Sequence, residues 1–413
     1  MLLDADRSVS RRTAKLGEAA IQHMAQRARA LQAAGRSIIN LTIGEPDFAT
    51  PAHICEAAGK AIADGFTHYS PIAGFPDLRE AIARKLREEN GLDYKPSEIV
   101  VSNGAKQAIT NAAFATLDRG DEVLLIAPYY ASYEQIVALA DGMPVKLRTE
   151  SGDGFKLRPE ALAGALTERS KLLILNAPGN PSGTVYDAGE LAALAAVVAR
   201  HPRLLVISDE VYEYFAFEGE PRSFATFPGM RQRTITVNGF SKGFAMTGWR
   251  LGYAAAPPAI ADAMAKIQGA FTSGANSFVQ KAAMAALAGG REAVQEMRDV
   301  YHRRRDLVAR ELKAIPGVRF VPPPGSFYAF PDVSALLPAH DGNRTIEDVD
   351  QLCDWLLDQH GVAVVPGSAF GDERCFRISF AASDEALAEA LERIARAIAT
   401  LDRGSGRARN AKA

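Results

Sequence analysis

The 413 residues are 47% apolar and 23% charged, an ordinary globular composition, long enough for two domains or for one large α/β domain with a smaller one attached. A formal net charge of −2 gives no electrostatic reason to expect a nucleic acid or an anionic membrane as partner. Cys55, Cys353 and Cys375 form no CxxC pair, which argues against a disulfide frame or a metal site; with no membrane-length apolar run and no basic, apolar leader, the expected compartment is the cytoplasm.

Residues 1 to 16 are polar and read as an arm. Ile21, Met24, Ala28 and Leu31 then recur at helical spacing up to Gly35, a helix stop. Residues 38 to 43 read as a short strand ending in Gly44-Glu-Pro-Asp-Phe48, where a glycine lets the backbone approach a ligand closely. Residues 52 to 64 are helical, and an irregular segment from 66 to 79, containing Tyr69, feeds another helix. From Glu98 to Val237 apolar runs alternate with helical stretches, the pattern of a parallel sheet wrapped by helices. The predicted strands are 99–102, 122–126, 171–175, 204–208 and 234–237.

In such sheets ligands bind beyond the carboxyl ends of the strands. There the chain supplies, in order, Asn103-Gly-Ala-Lys106, Pro128-Tyr-Tyr130, the loop Asn176 to Gly183, Asp209-Glu-Val-Tyr212, and Lys242. Each is a common loop composition alone; five on one sheet edge make a site. The first of them opens a helix whose free N–H groups can hold a phosphate.

Lysines are mostly solvated, but Lys242 lies between Ser241 and Gly243 with Phe240 and Phe244 two places away on either side. An amine in such surroundings can lose its proton and attack a carbonyl, the requirement for a Schiff base. Arg250, eight residues on, carries a permanent fork suited to a phosphate. Residues 250 to 256 read as a strand of opposite direction, and helices run on to about Ile315. Within them the basic run from His302 to Asp306 reads as a solvated face. Short strands at 319–321, 327–330, 362–365 and 376–380 alternate with helices thereafter. The expected layout is residues 1–50 as arm and part of a small domain, 51–290 as a large cofactor-binding domain, 291–403 as the small α+β domain, and 404–413 as a polar, disordered tail.

The segment Ser241-Lys-Gly-Phe-Ala-Met-Thr-Gly-Trp-Arg250 resembles the cofactor-lysine signature of class I/II aminotransferases, pyridoxal-phosphate enzymes related to aspartate aminotransferase, and ordered matches extend from about Asn40 to about Ser383. The resemblance implies that family's fold: α/β, with a mostly parallel seven-stranded sheet wrapped by helices and a smaller α+β domain. It implies pyridoxal 5'-phosphate held on Lys242, with Asp209 on the ring nitrogen, Asn180 and Tyr212 on the phenolic oxygen, and Tyr130 on the ring face. Gly104, Ala105, Ser241 and Arg250 would surround the phosphate, with Lys106 beside them. Arg377 would clasp the substrate carboxylate as a two-point ion pair, next to Gly44 and Asn180. Tyr69 would reach the phosphate of a partner subunit, so a homodimer with shared sites is implied.

The implied reaction is transamination between an L-amino acid and a 2-oxo acid, with Lys242 moving the α-proton and ping-pong kinetics. Tyr130 stands where many aspartate-specific relatives carry tryptophan, and Gly239 where several subgroups carry a serine that contacts the phosphate. Lys106, against that, matches a lysine that meets the distal carboxylate of acidic substrates in one bacterial subgroup. The lean is to aspartate or glutamate with 2-oxoglutarate; the alternatives are aromatic, basic or small neutral amino acids, or a lyase or decarboxylase on the same scaffold. A transcription factor built on this core would need a DNA-binding extension, for which sixteen residues before the first helix are too few. The phosphate-binding signatures GxGxxG and GxxxxGK[ST] are absent.

Overall fold

The computed structural model describes residues 9, 10, 13, 16 and 20 to 403. The predicted arm falls largely, and the predicted tail wholly, outside the described residues. Helix α1 (Ala20–Ala33) and a two-residue strand β1 (Ile39–Asn40) come first, followed by α2 (Ala52–Ala63) and α3 (Pro76–Asn90). The main sheet follows as β2 (Ile99–Ser102), α4 (Ala105–Thr116), β3 (Glu122–Ala127), α5 (Ser132–Leu139), β4 (Met143–Arg148), α6 (Pro159–Ala165), β5 (Ser170–Asn176), α7 (Ala188–Ala199), β6 (Leu205–Asp209), β7 (Thr234–Gly239) and β8 (Gly252–Ala255).

The seven strands lie in the order β2-β8-β7-β6-β5-β3-β4. Only β8 runs against the rest, paired antiparallel to both β2 and β7, as the sequence reading expects. The five predicted strands are therefore mutually parallel, and their carboxyl ends share one edge. Their near-continuous apolar character follows from burial on both faces. Val123, Ile174, Ile207 and Ile235 enter one core, while their neighbours Leu124, Leu173 and Val206 enter another on the opposite face. Strand β4 escapes the sequence reading because Pro144 argues against a strand; as the outermost strand it tolerates a residue without an N–H. An Asp187/Glu190 capping box starts α7, each side chain taking the other residue's backbone N–H at 2.8 and 2.7 Å.

Helices α8 (Pro258–Phe271), α9 (Ser277–Ala288) and α10 (Glu292–Lys313) lead to short strands β9 (Tyr328–Ala329), β10 (Ala339–His340) and β11 (Thr345–Ile346). Then come α11 (Val349–His360), β12 (Val362–Ala363), β13 (Val365–Pro366), β14 (Phe376–Ser379) and α12 (Asp384–Ala399). Strands β13, β14 and β9 form a small antiparallel sheet, and β1 pairs in parallel with β12. The run predicted at 362–365 is thus split between two partners. The run at 319–321 contributes a single bridge, Arg319 to Asp332, because Pro322, Pro323 and Pro324 cannot donate to a ladder. Leu352, Trp355, Leu391, Ile394, Phe376 and Ile378 form a core that also takes in Tyr212, Phe215 and Phe327, so the small sheet packs directly against a loop of the large one.

The basic run on α10 is not a solvated face. Arg304 is buried and binds Asp47 at 2.9 Å and Asp384 at 2.8 Å, while Arg305 binds Glu218 at 2.6 Å. Periodicity alone does not anticipate acids supplied by two distant loops and the start of α12. The Asp47 contact anchors the loop that begins at Gly44.

Candidate active site

The shared strand edge opens on a cavity of about 720 Å³ whose wall carries Gly44, Ala105, Lys106, Tyr130, Asn180 and Asp209. Tyr212, Ser241, Lys242, Arg250 and Arg377 complete the group of predicted residues that line it. Gly104 lies just behind, against Arg250. Tyr69 does not reach this chain's cavity; its side chain stands 95% exposed.

At the start of α4 two glycines permit a tight junction. Gly104 holds a left-handed φ of 89°, and a Cβ there would sit 2.4 Å from an Arg250 nitrogen. A Cβ on Gly252 would sit 2.4 Å from the Ala105 nitrogen. Without side chains at either position, the first turn of α4, whose N–H groups have no partner within the helix, meets the Arg250 guanidinium. Arg250 itself has φ 55°, uncommon for a residue with a Cβ, and donates to the Thr247 carbonyl at 2.9 Å. The junction has the donors and the positive potential of a phosphate cradle.

Asp209 ends β6 and is 4% exposed. It accepts from the Tyr133 hydroxyl and from the Val211 N–H. Burial pushes its carboxyl up to about 6, with those hydrogen bonds and the Lys242 charge opposing the rise. Lys242, beyond the end of β7, donates to the Gly44 carbonyl and has no carboxylate partner within ion-pair reach among the described residues. Burial, helped by the nearby Arg377 and Arg250 charges, brings its ammonium down to about 8; Glu45 and Asp209 pull the other way.

Arg377 comes from β14 and is 1% exposed. It donates to the Asn180 side-chain oxygen at 3.0 Å and to the Thr42 carbonyl at 2.6 Å, and its Nε is buried without a partner. The rings of Tyr328 and Phe370 flank it at 4.5 and 4.9 Å. Among the described residues no carboxylate pairs with it, so a buried cation is held by neutral acceptors and ring faces alone. Lys106 lies over the Tyr130 ring at 5.4 Å.

Several lining residues escape the sequence reading. Tyr133 sits three places after Tyr130, one turn on at the start of α5, and that spacing was a usable signal. Tyr328, whose hydroxyl lies 2.9 Å from that of Tyr212, becomes visible only when β9 is paired with β14. Gln22, Gln26 and Arg29 of α1 carry no signal, since its apolar stripe identifies the core face and not what the other face covers.

An anion cradle, a buried carboxylate, a weakened lysine and an unpaired guanidinium in one cavity suit a phosphorylated heteroaromatic aldehyde and a carboxylate-bearing substrate. Residues 36–394 match the family described as aminotransferase class I and II. The chain belongs to this family. A bifunctional aspartate aminotransferase and glutamate/aspartate-prephenate aminotransferase of Petunia hybrida is 49% identical over 97% of the chain and 84% of that protein. An aspartate/prephenate aminotransferase of Cereibacter sphaeroides is 46% identical over 89% of the chain and 93% of its own length. The crystal structure of a Rhizobium meliloti aspartate aminotransferase superposes with a TM-score of 0.93 at 42% identity, covering 95% of this chain and 99% of that one. A Thermus thermophilus aspartate aminotransferase solved with maleate gives 0.88 at 41% identity, covering 94% and 99%. This aminotransferase is therefore a transaminase of the pyridoxal-phosphate-dependent class.

Proposed function

We propose that this transaminase works on the acidic pair aspartate and glutamate, passing the amino group of aspartate to 2-oxoglutarate and, in reverse, that of glutamate to oxaloacetate, with Lys242, Asp209 and Arg377 as its working groups. The observation that carries the reading is Lys242: a half-buried amine, brought down to about 8 and held by a backbone carbonyl instead of a carboxylate. Bound pyridoxal 5'-phosphate supplies an aldehyde that amines condense with and a ring that accepts the electron pair released when a Cα–H bond breaks. Ala105, Ser241 and Arg250, backed by Gly104, suit its phosphate; Tyr130 suits the ring face, and Asn180 and Tyr212 the phenolic oxygen.

Asp209, kept in place by Tyr133, holds a proton on the ring nitrogen; a cation there draws the carboxyl back below its raised value of about 6. Arg377 takes the substrate α-carboxylate with its unpaired Nε and outer nitrogens, and the Asn180 oxygen and Thr42 carbonyl keep the fork oriented. The carboxylate so fixed turns one face of Cα toward Lys242. With the cofactor bound, Lys242 would receive the α-proton at Nζ and deliver it within the same cavity. Lys106 at the cavity wall suits the distal carboxylate of an acidic substrate, and the names of the relatives agree with that choice.

The assembly we favour is a homodimer in which Tyr69 serves the partner's site; Ile72 and Phe271, also exposed, support a second copy covering this face. The three cysteines are unpaired, in keeping with a cytoplasmic setting.

The deciding experiment adds pyridoxal phosphate to the purified protein, reduces with borohydride and maps the labelled peptide. A panel of donors with 2-oxoglutarate follows. Label on Lys242 and fastest turnover of aspartate are expected, glutamate being assayed with oxaloacetate because with 2-oxoglutarate it only regenerates itself. Label at another amine overturns the site, and release of carbon dioxide without an oxo-acid product overturns the reaction.

A further inference from the structure

Tyr328, fully buried on β9, has no part in the steps above, yet it touches two of the groups they use, Tyr212 and Arg377. Its hydroxyl lies 2.9 Å from the Tyr212 hydroxyl, and the Arg377 guanidinium sits 4.5 Å from its ring centroid. A Cβ on Gly44 would come within 2.7 Å of the same hydroxyl, and it is the Gly44 carbonyl that receives the Lys242 amine. The ring is fixed by pairing, with Tyr328 opposite Ser379 and Ala329 opposite Ile378, one step along β14 from Arg377.

Either hydroxyl of the tyrosine pair can donate. The stronger acid is the better donor, and the cations facing the two rings decide which that is. Tyr328 has the permanently charged Arg377 over its face at 4.5 Å. Tyr212 has Lys242 over its face, at 5.7 Å, an amine that gives up its charge more readily and that cofactor attachment consumes; the Arg377 charge reaches Tyr212 too, but it is the Tyr328 ring that it lies over. Phe327, at 5.4 Å, offers the Tyr212 ring no charge.

We propose that Tyr328 is a positioning residue: it donates to the Tyr212 oxygen, so that Tyr212's own proton is free to point into the cavity, at the phenolic oxygen of the cofactor. Through Tyr328 the carboxylate clamp and the cofactor contact are joined, by a ring-face contact to Arg377 on one side and a hydrogen bond to Tyr212 on the other. Gly44 is part of it, because a side chain there would displace the hydroxyl. The inference rests on the reading of the cavity as a pyridoxal phosphate site.

The test is the pH titration of the absorbance band of the bound cofactor, read without turnover. An oxygen that loses its donor holds the neighbouring proton more tightly, so Tyr212→Phe raises the midpoint. Tyr328→Phe is expected to raise it too, by about 0.4 to 1 pH unit, the effect of one hydrogen bond. Tyr212→Phe/Tyr328→Phe should go no further than Tyr212→Phe alone. 3-Fluorotyrosine in place of Tyr328, which keeps the ring and strengthens the donor, should lower the midpoint, and it serves if the phenylalanine variant does not fold. An unmoved midpoint in Tyr328→Phe, additive shifts in the double variant, or an upward shift with fluorotyrosine overturns the proposal. Wild-type protein that takes up cofactor without any absorbance band, or takes up none, overturns the underlying reading instead.

Discussion

The large sheet brings Asp209 and Lys242 to the cavity from the ends of adjacent parallel strands, β6 and β7, with each loop's chemistry written in a few consecutive residues. The small sheet brings Arg377 and Tyr328 from strands of four and two residues that meet across about fifty positions of chain. The first arrangement depends on register in a rigid, doubly covered sheet. The second depends on packing against a core shared with Tyr212 and Phe327. On the proposed reading the large sheet supplies the groups that react, together with the cofactor's cradle, and the small sheet supplies the groups that hold the substrate.

The largest effect tests that division directly. Lys242→Ala should lower kcat by about 10⁴-fold or more, because the cavity's other lysine, Lys106, lies over the Tyr130 ring and not at the Gly44 carbonyl. Steady-state and single-turnover rates check this. Arg377→Lys should lower kcat/KM by about 10²-fold, mostly through KM, since a point charge cannot bind a carboxylate at two points. An equal loss of kcat with KM unchanged would break the distinction between reacting and holding groups.

A smaller effect concerns pH. In the cofactor-free protein Lys242 is about 8 folded against 10.5 free, so the unfolded chain binds more protons between those values. The cost of burying the charged amine is present in full below about 8 and disappears as pH rises toward 10.5. Asp209 runs the other way: at about 6 folded against 3.8 free, the folded chain binds the extra proton, and the cost of burying its charge enters as pH rises through that window. Urea denaturation of cofactor-free protein from pH 8 to 10 should show Lys242→Met losing part of the upward slope, by up to about tenfold in the unfolding constant per pH unit. The smallest effect sharpens substrate choice: Lys106→Gln should raise KM for aspartate several-fold, about 0.5–1 kcal/mol for an exposed charge pair, and leave a neutral donor unaffected.

How much of this was legible follows the same division. Five parallel strands and the polar group after each could be read from apolar runs, because a doubly buried strand needs no partner to be recognised. Strand β4 could not, since it lies at the edge and carries Pro144. Arg377 was singled out only by family resemblance, and Tyr328 not at all: strands this short have too few residues to show a period, and their meaning lies in the pairing. Arg304 was misread for a related reason, its partners Asp47 and Asp384 being hundreds and tens of residues away.

Arg377 has one more consequence. A guanidinium sealed from water with no counter-charge among the described residues costs the fold stability, and any anion that settles beside it offsets part of that cost. Carboxylate ligands thus belong to the energetics of the native state, and the melting temperature becomes a gauge of their occupancy.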